Sequence, residues 1–409
     1  MAEWRQNWPL VLACTLAVTW VAAPVTSLSL FLGPLHAEFG WSFAQLSSGL
    51  FVYSVLSVLL VPLAGAIVDR FGTRTIGLPG LLLNGIAFAA FGLVSSSIVT
   101  WFAGWVFYTL TQLLMGTYVW SGAISAAFTK SRGLAIGVAM GGIAIGQLVA
   151  PLTVRWLIDA YGWRTGFMVM GIGWTGIAAF VGLFFFHDPR ARGAVRPGHE
   201  QANRAVGGLT LAEALRTPRF VRVALAILLQ GMIISGLTVH VIQLLAQSGI
   251  SRATATGMAG IIGISALAGQ VGTGWLADRV SARFLPTICF LLPAFAYGIM
   301  LTGHGSVTMQ WIGVLLAGYA SGAAINITTY LTTRYCGLAN FGKIYGVISS
   351  CMRLGAGVGP FIAGMIVDRT GSYGMYLTTG IGCAIVAALL VTGLGKYPQF
   401  ANKEKDVFA

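Results

Sequence analysis

Charged residues are scarce in this sequence. Lysine, arginine, aspartate and glutamate together make up 9% of the 409 residues, whereas hydrophobic residues make up 56%, and the mean hydropathy is +0.82. A soluble domain carries roughly 25% charged residues, so this chain has too few charges to cover a surface that faces water. The scarcity excludes a soluble globular protein and indicates that lipid surrounds most of the chain.

Cysteine is also rare, and its spacing follows no metal-site or redox pattern. The five cysteines are scattered along the chain, and none forms a C-x-x-C pair. No segment has the pattern of a phosphate-binding loop, a catalytic triad or a metal site. These absences argue against an enzyme, and we expect no cofactor and no bound metal.

Acidic residues are fewer than basic ones, at 11 against 24, which gives a net charge of +13. A nucleic-acid partner is not indicated, because no basic stripe is interleaved with aromatic residues. All the acidic residues fall at or beyond the ends of the apolar segments. We therefore expect no carboxylate in the middle of a membrane span.

Long apolar segments fill most of the chain, separated by short polar turns. A spanning helix needs about 20 apolar residues, and lipid leaves no partner for an open sheet edge. The sequence therefore predicts an all-α membrane protein of about twelve transmembrane helices. The first segment is too long for a signal-peptide core and is expected to be a retained span. The predicted helices are 9–35, 43–68, 75–96, 99–128, 134–157, 165–186, 221–246, 254–277, 284–303, 307–332, 344–367 and 374–395.

The longest polar stretch lies near the centre of the chain. Residues 188–219 are predicted to form a cytoplasmic linker between an N-terminal six-helix bundle (1–187) and a C-terminal six-helix bundle (220–409). Within the linker, Thr210 and Glu213 have the spacing of a capping box, which predicts a short helix there.

The basic residues predict the orientation of the spans. Most of the 24 lysines and arginines fall at one end of the predicted helices. The exceptions are Arg155, Arg164, Arg252 and Arg369 at the other end and Arg353 inside a span. By the positive-inside rule, both termini and the central linker are expected in the cytoplasm.

The two halves of the chain repeat each other at a constant offset. The offset relates Gly65-x-x-x-Asp69-Arg70-x-x-x-Arg74 to Gly274-x-x-x-Asp278-Arg279-x-x-x-Arg283 and also relates Gly146 to Gly355. Parallel repeats of this kind are found in transporters whose cargo site lies between the halves. The paired glycines have two interpretations: static packing of helices, or sliding of the fifth and eleventh spans against the opposite half.

The first copy of this motif resembles the loop signature of the major facilitator superfamily, G-x-x-x-D-R-x-G-x-R. Three further segments, Phe31–Ser42, Arg132–Gly137 and Leu211–Phe220, are similar to the bacterial monocarboxylate and oxalate–formate carriers. The resemblance implies the major facilitator fold, two pseudo-symmetric six-helix bundles. It also implies a cytoplasmic latch that stabilises the outward-open state, formed by Asp69, Arg70, Arg74, Asp278, Arg279 and Arg283. A simple topology-setting charge cluster is the alternative.

Arg353 is the main candidate for substrate binding. It lies about ten residues, or roughly 15 Å, into the eleventh span, where a charge costs about 2.5–3.5 kcal/mol. The carriers that the chain resembles have a basic residue in a comparable place, which implies that Arg353 binds an anion. The alternative is a structural arginine bonded to helix carbonyls. Those carriers often have a further arginine in the eighth span, where Gln270 stands here.

Polar residues in other spans complete the predicted site. Tyr118, Asn326 and Tyr330 lie in helices that line the cavity in the family resembled, and Gln270 joins them as a substrate-binding candidate. Histidine as a residue type titrates near physiological pH, so His240 is a candidate both for substrate binding and for carrying a coupled proton. A satisfied polar residue is the alternative for His240.

Together these features predict a secondary active transporter in the bacterial cytoplasmic (inner) membrane. The expected cargo is a small organic anion, a mono- or aromatic carboxylate, carried by alternating access with proton symport by a monomer. Anion exchange, and export of drugs or metabolites by the same fold, remain open. A membrane sensor without transport is a third alternative, for which no signalling domain is evident in the sequence.

Overall fold

The chain folds almost entirely into α-helices. The computed structural model describes residues 2–128, 131–186, 208–279, 284–337 and 340–395. Within these ranges, the side chains of some helical residues also lie outside the description, those of Asp69, Asp278 and Arg279 among them.

The helices follow one another with short connections. Before the central stretch they are α1 (Ala2–Phe39), α2 (Phe43–Phe71), α3 (Thr73–Ala90), α4 (Ile98–Gln112), α5 (Thr117–Ala127), α6 (Arg132–Met140), α7 (Gly142–Val169) and α8 (Thr175–Phe185). A π-helical turn, Met170–Trp174, joins α7 to α8. After the central stretch they are α9 (Leu211–Arg216), α10 (Pro218–Gln247), α11 (Arg252–Arg279), α12 (Leu285–Thr302), α13 (Val307–Cys336), α14 (Phe341–Thr370) and α15 (Tyr373–Val391).

The described residues contain eleven segments that are long and apolar enough to cross a membrane. One of them, Leu134–Phe185, has 52 residues and holds two spans. Gly162 divides it, because its φ of +83° interrupts the helical backbone within α7, a conformation that glycine adopts without steric cost. The prediction of an all-α membrane protein with twelve spans is confirmed.

The fourth span differs from the prediction of one helix over 99–128. The structure ends α4 at Gln112 and begins α5 at Thr117. Side chains from α5 bond backbone carbonyls at this break: the Tyr118 hydroxyl donates to the Leu113 carbonyl, and Trp120 Nε1 donates to the Met115 carbonyl at 2.8 Å. An unsatisfied carbonyl in lipid costs several kcal/mol, so these bonds allow the span to be interrupted.

Contacts divide the chain into two compact units. The first unit comprises Met1–Val195 and Thr238–Ile264, and the second comprises Arg196–Leu237 and Ser265–Ala409. The first unit therefore includes the C-terminal part of α10 and the N-terminal part of α11. Most of the predicted linker at 188–219 lies outside the described residues, and the predicted domain boundaries stay a prediction.

Each unit contains the same close contact between two helices. In the first unit, a Cβ added to Gly146 of α7 would lie 2.0 Å from the carbonyl oxygen of Thr19 in α1. In the second unit, a Cβ added to Gly355 of α14 would lie 2.1 Å from the carbonyl oxygen of Leu228 in α10. The offset that relates Gly146 to Gly355 also relates Thr19 to Leu228, so the sequence repeat is also a repeat of packing.

This contact bears on the two interpretations of the paired glycines. Gly146 and Gly355 each pack against the first spanning helix of their own half of the chain. Other residues of the fifth span, Ala144 and Gln147, lie against Gly263 of α11, a helix of the other half of the chain, and sliding of the fifth and eleventh spans there stays a prediction. Small residues allow helix backbones to approach closely, and here they do so within a unit.

The short helix predicted in the central stretch is present as α9. Thr210 and Glu213 form the predicted capping box: the Glu213 carboxylate accepts from the Thr210 N–H at 2.8 Å, and the Thr210 hydroxyl accepts from the Glu213 N–H at 3.3 Å. The preceding residue, Leu209, donates its N–H to the Cys336 carbonyl at 2.8 Å. The bond from Leu209 attaches the start of α9 to the end of α13.

Candidate substrate site

Arg353 lies in the central part of α14, and its side chain is exposed. It makes no hydrogen bond or ion pair with any residue that the structure describes. Within those ranges, no bond to a helix carbonyl supports the alternative of a structural arginine. Its neighbours one turn away on the side of the helix that α10 leaves free are Ser349, Ser350 and Gly357. This face of α14 is therefore built from small residues and carries one charge.

Packing against α10 fixes which way α14 faces. Gly355 lies against the Leu228 carbonyl, and an added Cβ at Gly359 would lie 2.1 Å from the Met232 carbonyl oxygen. The Ser235 hydroxyl of α10 also donates to the Ala356 carbonyl at 2.7 Å. Successive residues of an α-helix are about 100° apart. Arg353 is thereby turned away from the face that α10 covers.

Gln270 and Asn326 are in direct contact. The side-chain amide of Asn326 donates to the backbone carbonyl of Gln270. The two helices approach closely along this line, because a Cβ added to Gly322 of α13 would lie 1.7 Å from the carbonyl oxygen of Ala266 in α11. The Gln270 side chain is exposed. The second unit therefore contains Arg353 and this Gln270–Asn326 pair.

The two predicted tyrosines have partners of their own. Tyr330 of α13 is half-buried, and the guanidinium of Arg334 lies 5.4 Å from the centre of its ring. The Tyr118 hydroxyl, in the first unit, is bonded to the Leu113 carbonyl at the break in the fourth span. Their roles in binding a substrate stay predictions.

His240 is fully buried in the C-terminal part of α10. Its Nε2 lies 3.0 Å from the hydroxyl oxygen of Ser47 in α2, and its ring centre lies 6.3 Å from that of Phe43. The sequence predicted that His240 lies in a span, but it did not indicate Ser47. In this arrangement the imidazole is satisfied by a hydrogen bond within the first unit.

Two more polar contacts join the C-terminal part of α10 and the start of α11 to α1, and the sequence did not indicate them. The side-chain amide of Gln243, one turn further along α10, donates to the Ser29 carbonyl of α1. Arg252, at the start of α11, donates to the Leu30 carbonyl at 3.4 Å. Backbone carbonyls accept both bonds, so no side-chain pattern in the sequence points to them.

The predicted latch is described only in part. The side chains of Asp69, Asp278 and Arg279, and Arg283 as a whole, lie outside the described residues. In the first copy, the Arg70 guanidinium lies 5.4 Å from the centre of the Phe71 ring. Arg74 donates to the Leu183 carbonyl at 2.9 Å.

Comparison with protein families supports the sequence-based resemblance. The family model described as Major Facilitator Superfamily matches residues 11–360. Monocarboxylate transporter 12 of Homo sapiens is 24% identical over 443 residues, which cover 98% of this chain and 84% of that protein. Monocarboxylate transporter 13 of Bos taurus is 26% identical over 357 residues, which cover 79% and 76%.

A bacterial relative and a solved structure extend the comparison. The uncharacterized MFS-type transporter YhjX of Escherichia coli (strain K12) is 23% identical over 359 residues, which cover 87% of this chain and 86% of that protein. The crystal structure of a bacterial homolog to the human lysosomal transporter Spinster, inward-facing and unoccupied, superposes with a TM-score of 0.71 at 20% identity. That alignment covers 94% of this chain and 93% of the other. The likeness confirms the predicted fold.

Proposed function

Because the chain belongs to the major facilitator superfamily, a family of membrane transporters rather than enzymes, we propose that it carries a small organic anion whose carboxylate binds Arg353. The observation that carries this proposal is the exposed guanidinium in the central part of α14, unpaired among the described residues. A charge at that depth costs about 2.5–3.5 kcal/mol. A carboxylate offsets this cost, since a guanidinium binds it through two parallel hydrogen bonds.

The proposed cargo is a monocarboxylate, aliphatic or aromatic. Arg353 is the one guanidinium placed mid-span among the described residues, which matches one carboxylate, and the uncharged Gln270 stands where related carriers often have another arginine. Asn326 lies beside Gln270, and Tyr330 supplies an aromatic ring in the same unit. Two relatives bear the name monocarboxylate transporter, which supports this class of cargo.

The proposed energy source is a proton gradient, with His240 as the proton-carrying group. His240 is fully buried against Ser47, and burying a charged imidazole is costly. Proton uptake by His240 is therefore linked to a rearrangement that opens its contact with Ser47. Such a link between a protonation state and a conformational state is what a proton symporter requires.

Anion exchange is the second candidate mechanism. The sequence places no carboxylate in the middle of a span, so the usual proton carrier of symporters is missing. In an exchanger, the cargo itself neutralises Arg353, and the loaded carrier returns with a second anion. Arg353 has the same role in both mechanisms, and only the role of His240 differs.

The proposed setting is a bacterial inner membrane, with a monomer whose termini face the cytoplasm. Most lysines and arginines fall at the end of the spans that the positive-inside rule assigns to the cytoplasm. Asp69, Arg70 and Arg74 with their second copy, Asp278, Arg279 and Arg283, would latch that end in the outward-open state.

A binding experiment tests the proposed cargo class. Purified protein is heated with monocarboxylates, each paired with its uncharged amide, for example benzoate with benzamide. At least one acid should raise the unfolding temperature. At a hundredfold excess over its Kd, the bound acid should add about 2.7 kcal/mol to the free energy of unfolding. The matching amide should not. The shift should vanish in Arg353→Gln and persist in Arg369→Gln, which removes a charge from the end of the same helix. An equal shift in Arg353→Gln, or with the amide, contradicts the proposal.

A further inference from the structure

A groove of about 400 Å³ lies between the N-terminal end of α3 and the C-terminal end of α8. Arg74 and Thr75 line it at the start of α3, and the rest of its lining is apolar, including Leu78, Leu82 and Leu183. No acidic residue lines it among those that the structure describes. The groove therefore combines one positive charge with a hydrophobic channel.

Arg74 is held at this groove by α8. Its Nη2 donates to the Leu183 carbonyl at 2.9 Å, in the last turn of α8, where carbonyls lack a helical partner. A guanidinium has five N–H donors, and the others make no bond with the described residues. The N-cap of α3, Gly72, has no side chain to bond the first N–H groups, and such groups favour a negative charge.

The neighbouring aromatic residues place this end of the groove at the membrane surface. Trp8 is 53% exposed, and its ring centre lies 6.4 Å from that of Phe185, the last residue of α8. Tryptophan is enriched at the level of the lipid headgroups. From Arg74, Leu78 and Leu82 follow at intervals of about one turn of α3, towards the middle of the span.

We propose that this groove binds an anionic phospholipid, with the phosphate at Arg74 and an acyl chain along Leu78, Leu82 and Leu183. Basic pockets between helices at this surface suit anionic headgroups. The apolar part of the groove takes the chain, because Leu82 and Leu183 are 43% and 57% exposed. The site is separate from Arg353 and does not depend on the identity of the cargo.

Lipid binding to the purified, delipidated protein tests the proposal. Dioleoyl phosphatidylglycerol is titrated into the protein, and native mass spectrometry counts the bound lipid molecules. Dioleoyl phosphatidylcholine, a zwitterionic lipid with the same acyl chains, is the control lipid. Arg74→Gln should weaken phosphatidylglycerol binding about fivefold, the effect of one basic residue at a membrane surface. Phosphatidylcholine binding should change little.

Arg222→Gln is the matched control. Arg222 also binds carbonyls at the end of a spanning helix, with its Nη2 2.7 Å from the Thr392 oxygen and 3.3 Å from the Leu389 oxygen, but it does not line this groove. Its substitution should leave phosphatidylglycerol binding unchanged. If Arg74→Gln and Arg222→Gln bind phosphatidylglycerol with the same affinity, the proposal is wrong.

Two further arms separate a lipid site from a site for free phosphate. Leu82→Trp, which keeps Arg74 and fills the apolar part of the groove, should also weaken phosphatidylglycerol binding. It decides the question even if Arg74→Gln does not fold. Glycerol 3-phosphate, a headgroup without chains, should not displace the lipid. Displacement by glycerol 3-phosphate, or full binding by Leu82→Trp, would overturn the proposal.

Discussion

The imidazole Nε2 of His240 lies 3.0 Å from the hydroxyl oxygen of Ser47, and both side chains are fully buried. The bond joins two helices, α10 and α2, at positions 193 residues apart. The ring of Phe43 contacts two histidines: its centre lies 6.3 Å from that of His240 and 4.8 Å from that of His36. The chain thus has two histidines on one aromatic ring, and only His240 is fully buried.

His240→Gln should abolish accumulation of substrate driven by an inward proton gradient. The glutamine side chain can still form a hydrogen bond with Ser47 but cannot take up a proton. The contact between α10 and α2 would then no longer depend on pH. Uptake into proteoliposomes with an imposed pH gradient measures the effect. His36→Gln is the matched control, and it should retain the response to the gradient.

The same assay separates symport from exchange. Symport requires that external acid drives accumulation in the parent protein. Accumulation that ignores the gradient but needs substrate inside the vesicles would reject symport and support exchange. His240→Gln would then exchange anions at the parent rate.

Arg353→Gln should abolish uptake of the anionic cargo while expression and thermal stability stay near those of the parent. Arg353→Lys should retain weak uptake, because a point charge remains but the planar two-donor geometry is lost. Initial uptake rates at several substrate concentrations measure both. Arg369→Gln should transport normally, and parent-like uptake by Arg353→Gln would contradict the assigned role.

Gly355→Ala should destabilise the protein by about 1–3 kcal/mol, the usual cost of overpacking. Its new methyl group would lie 2.1 Å from the Leu228 carbonyl oxygen, so α10 and α14 must move apart. Thermal unfolding of the purified protein checks this. Gly346→Ala, on the same helix with no atom within 4 Å of the added methyl, should be neutral. Equal stability of the two variants would show that the close contact carries no energy.

Asn84→Leu should cost about 1–3 kcal/mol of stability, because it leaves a buried donor unpaired. Asn84 accepts from Trp20 Nε1 at 2.7 Å, and its amide donates to the Tyr108 carbonyl at 3.1 Å and to the Thr111 hydroxyl at 3.0 Å. The cost should fall when Trp20→Phe is added, since the unpaired N–H is then absent. A double-mutant cycle of unfolding free energies measures the coupling between Trp20 and Asn84. If the stability losses of the two single variants simply add in the double variant, the two residues are not coupled.

Asp69→Asn should slow transport and leave substrate binding intact, because the proposed latch would act on the conformational equilibrium and not on the substrate site. The inward-facing population should increase, which makes reporter cysteines on the predicted cytoplasmic side more accessible to labelling. Asp159→Asn removes a carboxylate from an exposed pair with Arg155 and serves as the control. Identical labelling of Asp69→Asn and the parent would argue for a simple charge cluster.

The sequence predicted the spans better than it predicted their interruptions. Apolar runs of about 20 residues identify spanning helices wherever lipid is the solvent. The interruption between Gln112 and Thr117 contains Gly116, but one glycine does not distinguish this position from the other glycines in the spans. The bonds from Tyr118 and Trp120 to the backbone carbonyls at the break are not indicated by any pattern in the sequence. The sequence likewise did not identify the helix against which Gly146 packs, because a small residue allows close approach by any neighbouring helix.

The sequence by itself determined the solvent, the number of spans, the repeat and the position of Arg353. Each of these follows from composition and spacing along the chain, because lipid makes unpaired charge and unsatisfied backbone costly wherever they occur. The tertiary structure alone decided that His240 bonds Ser47, that Gly355 meets Leu228, and that Arg74 borders an apolar groove against Leu183. These contacts join distant parts of the chain. They depend on how each helix is rotated and packed against its neighbours, and the local sequence does not determine this.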